Sequence, residues 1–284
     1  MKNKRALRDN ALISLLYLAA GITALLVVGI IGFVLVKGLA HISWSFLTSS
    51  PSALKNTIGI LPNILNTLYL ILLAIAIALP IGVGAAVYLT EYDVNKKLVA
   101  IIEFATETLA GLPSILYGLV GMLFFCRVLK LQTSLISGSL TLVIMILPTI
   151  IRTTQEALKT VPLSYREGAH GLGATRWYMI RTIVLPSSID GIVTGCILAI
   201  GRIVGESAAL LFTAGVGTVI AGNIVDAYRT SGGSLAVALY VYVYERAEFD
   251  VGFAIAAVLM LLVFMINFAA KKAGKSLKSK GEQL

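Results

Sequence analysis

An all-α membrane protein with six transmembrane helices is the fold class the sequence predicts, on three observations. Apolar residues make up 58% of the 284 and charged residues 13%, with a mean hydropathy of +0.92. That is more apolar surface than a soluble domain of this length can bury. The apolar residues fall in runs about as long as a bilayer crossing. Lys and Arg collect in alternate polar stretches between those runs, the asymmetry that sets membrane orientation.

That asymmetry accounts for the formal charge of +9, so no nucleic-acid partner is expected. Cys126 and Cys196 lie in apolar runs, and the only histidines are His41 and His170. Neither a disulfide framework nor a Cys- or His-built metal site is predicted.

Residues 1–60 read as a cytoplasmic N-terminus, a first span and an external loop. Lys2, Lys4, Arg5 and Arg8 precede an apolar run from Leu12 to Val36. The run is longer than a signal-peptide h-region and lacks a clean cleavage site, so it is read as a retained span. Residues 37–60, with Trp44 and Pro51, fit an external loop.

Residues 61–270 read as a core of five spans. The second span lies within Asn63 to Leu89, with a kink expected at Pro80. Glu91 to Lys97 makes a polar turn. The third apolar segment, Leu98 to Cys126, carries Glu103 and Glu107 at i and i+4. Two carboxylates this close resist joint ionisation in lipid, which places them at the inner interface or on a helix packed against protein. Arg127 to Thr133 is an external turn. Ser134 to Ile151 is the fourth span, with Pro148 near its inner end. The fifth runs from Ile189 to Phe212. Residues 213–250 are external, and Leu235 to Tyr244 within them is too short to cross. Val251 to Ala270 is the sixth span, followed by a basic cytoplasmic tail, 271–284. This layout puts 16 of the 23 Lys and Arg inside, six outside and Arg202 within a span. Both termini are then cytoplasmic.

Between the fourth and fifth spans lies a cytoplasmic loop, 152–187, whose polar centre runs from Glu156 to Pro186. A connection this long is uncommon unless it has a function. Its pattern predicts two short helices. Ser164 caps the first, with Glu167 at capping-box spacing, and Gly171 and Gly173 end it. Thr175 caps the second, which runs through Trp177, Ile180 and Ile183 to Pro186.

Arg202 falls about 13 residues, or roughly 20 Å, into the fifth span. An arginine near the bilayer centre costs about 2.5–3.5 kcal/mol at least, so it faces protein or a watery cavity. Glu206 stands one turn on, at i+4. Two readings stay open: an intrahelical pair that serves packing, or an anion site in which the guanidinium fork suits a tetrahedral oxyanion. Small residues at every fourth place (Gly191, Gly195, Ala199, and Gly201, Gly205, Ala209) let another helix approach closely.

Two sets of residues carry a family resemblance. Glu167-Gly168-Ala169, Gly173, and Ile183-x-Leu185-Pro186 match the spacing of the EAA loop of ABC-importer permeases, with Gly168 where Ala is usual. Gly201 to Ala208 resembles the A-R-x-x-G-E-[ST]-A stretch of their phosphate permeases, and Ala110 to Leu119 resembles A-G-[VL]-P-S-I-[VL]-Y-G-[LI]. Together these cover most of residues 60–270. The resemblance implies a type I ABC importer permease fold in a bacterial plasma (inner) membrane. It implies a cytoplasmic coupling helix at Glu167 to Gly173, with Ile183, Leu185 and Pro186 in the same docking motif. It also implies Arg202 and Glu206 on the substrate pathway. The implied partners are a second, PstC-like permease, a PstB-like ATPase dimer and an external PstS-like phosphate-binding protein.

No cofactor is expected in this chain. Gly274-Lys275-Ser276 ends like a P-loop, but Ala269 stands where the first glycine belongs. ATP and magnesium are therefore expected on the partner ATPase, and no nucleophile–base pair suggests catalysis here. The expected function is ATP-driven phosphate import by alternating access. A permease for sulfate or molybdate and a passive anion channel are the alternatives.

Overall fold

The computed structural model describes residues 2–52, 57–92, 95–220 and 222–281. Lys55 of the predicted external loop, residues 93–94 of the polar turn and the last three tail residues lie outside them. So do the side chains of Lys2, Lys4, Arg5, Arg8, Lys278 and Lys280, counted above for orientation.

Helices dominate the described residues. Four are long and apolar enough to cross a bilayer: α1 (Lys2–Leu39), α3 (Leu61–Glu91), α6 (Leu135–Lys159) and α14 (Phe249–Gly281). A five-residue helix, α2 (Trp44–Thr48), links the first two. Two further spans are bent pairs, so the six predicted crossings are met by four continuous helices and two broken ones.

The first broken pair corrects the continuous third span. Helix α4 (Lys96–Ala110) and helix α5 (Ser114–Gly121, extended as a π-turn over Met122–Val128) meet at 104°. Gly111, Leu112 and Pro113 make the corner: Pro113 lacks an N–H and pushes Leu112 out of helical conformation. The Tyr117 hydroxyl donates to the Leu109 carbonyl and ties the corner shut.

The second pair follows from the loop. Helices α7 (Leu163–Gly171), α8 (Arg176–Met179) and α9 (Leu185–Ser187), with a π-turn over Ile180–Val184 between the last two, lead into α10 (Ile189–Val204) through a 65° bend. The predicted fifth span to Phe212 is also interrupted. Helix α10 stops at Gly205, and a separate helix, α11 (Ala208–Thr213), follows.

The core is where α3, α5, α6, α10 and α11 meet, around Leu70, Ala74, Leu142, Met145, Ile146, Ala199 and Leu210. Small residues set the spacing. A Cβ on Gly82 of α3 would sit 2.6 Å from Ile150 of α6, and one on Gly195 of α10 would sit 2.2 Å from Thr153. These replace bulky side chains where backbones approach, the usual packing device of membrane helices. Helix α1 packs along α14, with Phe33 edge-on to Phe253, and exposes apolar side chains on its other faces. That all-round hydrophobicity suits lipid contact.

The Gly-rich segment after α11 folds onto the end of the bundle opposite α7. Asn63 and Asn66, buried in the first turns of α3, both donate to the Gly233 carbonyl, at 2.9 and 3.2 Å, and the Thr67 hydroxyl accepts from Leu235 N–H at 2.9 Å. Helices α12 (Ile224–Arg229) and α13 (Leu235–Tyr240) belong to this end, and α13 runs on as a π-turn to Glu245 without crossing.

Candidate substrate path and coupling surface

The two stretches that resemble phosphate permeases pack against each other. A Cβ on Gly118 of α5 would lie 2.7 Å from the Ala209 Cα of α11, and one on Gly121 would lie 2.2 Å from the Thr141 hydroxyl of α6. Gly118→Ala is expected to destabilise the protein by about 1–3 kcal/mol, the usual cost of overpacking. Gly84→Ala, on an open face of α3 with nothing within 4 Å, should be neutral. Thermal unfolding of the purified protein reads the difference.

Arg202 lies in the last turn of α10, half-buried. Its charge is close enough to act on the Tyr117 phenol at the α4–α5 corner. Among the described residues its guanidinium makes no ion pair or hydrogen bond. Gly201, beside it, faces open space, and a Cβ on Gly205 would meet the Gly201 carbonyl oxygen at 3.6 Å, an ordinary contact. The stripe of small residues therefore divides. Gly191 and Gly195 press against Ala157 and Thr153 of α6, whereas Gly201 leaves room beside Arg202.

Glu206 does not pair with Arg202, which corrects the intrahelical reading. The helix breaks at Gly205, so the i+4 relation is lost. The Glu206 carboxylate is buried and accepts from Ala209 N–H at 2.9 Å. It closes the start of α11, as an N-terminal carboxylate commonly does.

The loop residues split between packing and exposure. Ala169 is buried with Leu158, Val161, Met179, Ile180 and Val184, and Ile183 and Leu185 pack against the same cluster. Pro186 opens the short α9. Glu167 and Gly168 are exposed, and a Cβ at Gly168 would meet nothing within 4 Å. Within this chain, Gly168 and the usual Ala are thus sterically equivalent. Gly173 has φ +79° and ends α7, while Ala174 N–H bonds back to the Ala169 carbonyl at 3.0 Å. A β-carbon at that φ is strained, so glycine is required. Thr175 caps α8 as expected, accepting from Tyr178 N–H. Ser164 does not cap α7. That helix starts two residues earlier, after Pro162, with no side-chain cap. Around α7, Leu163, Tyr165, Trp177 and Tyr178 are exposed and Leu172 is 91% exposed.

The sequence reading missed what holds α7 in place. Arg166 makes a two-pronged ion pair with Glu91 at the end of α3, at 2.8 and 3.2 Å. The same guanidinium donates to the Leu158 and Val161 carbonyls at 2.9 and 2.6 Å. Leu158 is in the last turn of α6 and Val161 follows it, so the side chain gathers the exit of that helix. The pair is buried, with side chains 17% and 4% exposed. Seventy-five residues separate the partners, so no local pattern announces them.

A cavity of about 530 Å³ lies between α4 and the α7 end of α6. Its lining includes Glu103, Thr106 and Glu107 from α4, facing Thr149, Arg152, Thr153, Glu156 and Lys159 from α6. Glu103 and Glu107 line this space but are exposed, and no residue of α4 is buried, so α4 is not a helix packed into protein.

A bundle of broken and continuous spans with a short docking helix at one end is the architecture of an importer permease. The family described as "Binding-protein-dependent transport system inner membrane component" matches residues 78–271, and the chain belongs to it. It is a multi-pass inner-membrane permease subunit of an ABC importer. In sequence it is PstA-like. The phosphate transport system permease protein PstA of Pasteurella multocida is 29% identical over 272 residues, 94% of each chain. The PstA of Yersinia pestis is 39% identical over 179 residues, 62% of this chain and 60% of that protein. Probable ABC transporter permease protein YqgI of Bacillus subtilis is 36% identical over 214 residues, 75% of this chain and 73% of that protein. Among solved structures, the MetNI methionine ABC transporter matches with a TM-score of 0.61 at 23% identity, over 77% of this chain and 94% of that one. A bacterial ABC transporter involved in alginate import matches with a TM-score of 0.66 at 16% identity, over 97% and 99%. At those identities the likeness is one of fold, that of a type I ABC importer permease.

Proposed function

We propose that this chain moves inorganic phosphate into the cytoplasm by alternating access, driven by ATP and magnesium on a separate ATPase. The observation that carries the reading is Arg202. It is a permanently charged fork of donors in the last turn of a bilayer helix, with no ion pair or hydrogen bond among the described residues and with open space at Gly201 beside it. Such a group suits a tetrahedral oxyanion, and the PstA relatives supply the identity of the anion.

On this reading the α7 end of the bundle is cytoplasmic, in keeping with the distribution of Lys and Arg. The exposed apolar ring around α7 meets a PstB-like ATPase dimer, with Glu167 at its rim. A PstC-like permease completes the pore, and a PstS-like binding protein delivers phosphate at the opposite end. Gly173→Asp, which puts a β-carbon and a charge at the φ-positive stop of α7, should abolish stimulation of ATP hydrolysis by the binding protein.

The deciding experiment is uptake of labelled phosphate by the reconstituted assembly, with excess unlabelled phosphate, sulfate or molybdate. Competition by phosphate alone supports the reading, and equal competition by sulfate or molybdate overturns its substrate. Uptake that continues without ATP makes the chain part of a channel and overturns the mechanism.

A further inference from the structure

Helix α4 is weakly anchored in the bundle. None of its residues is buried, yet it is capped at its start, where the Asn95 side chain accepts from Lys97 N–H at 3.0 Å. Its far end is pinned at the corner by the Tyr117–Leu109 bond. A rod stiff within itself and fixed at one end can pivot. Its two faces differ: Leu98, Ile101 and Phe104 are exposed apolar side chains, whereas Glu103, Thr106 and Glu107 line the cavity against α6.

Charges of both signs line that cavity, Glu103 and Glu107 from α4 and Arg152 and Lys159 from α6. Helix α4 begins shortly after Glu91, which is bonded to Arg166 of α7, so its start lies at the α7 end. Helix α6 finishes at the same end. Among the described residues neither glutamate is ion-paired. Arg152 is ion-paired with its own helix neighbour Glu156, at 3.6 Å, with both side chains 68% exposed. Pairs that open are screened by water and hold loosely.

We propose that this cavity is the release chamber of the oxyanion pathway: Arg152 and Lys159 take the anion, and Glu103 and Glu107 replace it on the same two cations when α4 closes against α6. The inference rests on the proposed import of phosphate. It adds a second anion subsite, on the α7 side of Arg202, and a reason for two carboxylates to face an anion path. They compete with the substrate and so drive it out, and the same contacts seal the chamber behind it. Glu156 acts as the resting partner of Arg152 while the chamber is open.

Two measurements on the reconstituted assembly test this. In a background with Cys126 and Cys196 replaced by Ser, a Thr106→Cys/Thr153→Cys pair is cross-linked across the cavity. Uptake is expected to stop and to return on reduction. Uninterrupted uptake with a complete cross-link overturns the moving α4. In the second, Glu103→Gln/Glu107→Gln should make uptake more sensitive to phosphate inside the vesicle. The concentration that halves the rate should fall roughly fivefold, a size that two solvent-exposed ion pairs support. An unchanged inhibitory concentration overturns the competition. Wild-type phosphate uptake in the same vesicles is the separate control: its failure removes the functional reading, whereas normal wild-type uptake with indifferent variants removes only the chamber.

Discussion

Arg202→Gln is expected to lower ATP-driven phosphate uptake by about a hundredfold, the factor that accompanies loss of charged hydrogen bonds worth about 2–3 kcal/mol. The assembly should still form, because the guanidinium contributes no bond to the bundle among the described residues. Arg202→Lys should recover only part of the rate: an ammonium keeps the charge but not the planar fork. Near-normal uptake by correctly inserted Arg202→Gln would remove the anion role. Glu206 behaves differently on this structure. Its buried carboxylate serves Ala209 N–H, so Glu206→Gln, which keeps an acceptor oxygen, should leave uptake nearly intact. Glu206→Ala loses that acceptor and should cost stability of about 1 kcal/mol. Equal collapse of uptake in Glu206→Gln and Arg202→Gln would instead restore the paired reading.

The contrast between these two residues shows what the sequence could and could not disclose. The number of crossings was legible because hydropathy is a sum over twenty residues and survives local irregularity. The breaks were less legible, because a helix stop inside an apolar run is decided by one or two residues. Gly111 and Pro113 turn the third span by 104°, and Gly205 ends the fifth while Glu206 restarts it. Both stops carried a signal, a Gly-x-Pro and a Gly-Glu-Ser within apolar sequence, that a continuous-span reading absorbed. The docking loop was legible where its chemistry is local, at Thr175 and Gly173, and misread at Ser164, where Pro162 starts the helix first. Its attachment to the bundle was not legible at all, since Glu91 and Arg166 come together only through the fold.

That attachment yields the second large effect. Removing Arg166 leaves the Glu91 carboxylate, only 4% exposed, without its counter-charge and frees two carbonyls at the end of α6. Breaking one side of such a buried pair typically costs about 3–5 kcal/mol. Arg166→Ala should therefore loosen α7 from α3 and α6 before it disturbs the apolar cluster around Ala169. Arg166→Lys helps little, because an ammonium cannot bridge a carboxylate in two prongs and reach two carbonyls together. The expected readout is a coupling ratio. In reconstituted vesicles ATP hydrolysis continues, while phosphate moved per ATP falls by about tenfold, since a loosened joint absorbs motion that a rigid one transmits. Glu91→Gln should show the same direction with a smaller change, because the amide oxygen still accepts one prong. A stability loss alone would lower uptake and hydrolysis together and leave their ratio fixed. An unchanged ratio in folded Arg166→Ala would mean that α7 moves the spans through the Ala169–Ile180–Val184 contacts instead, and that the ion pair only holds the fold.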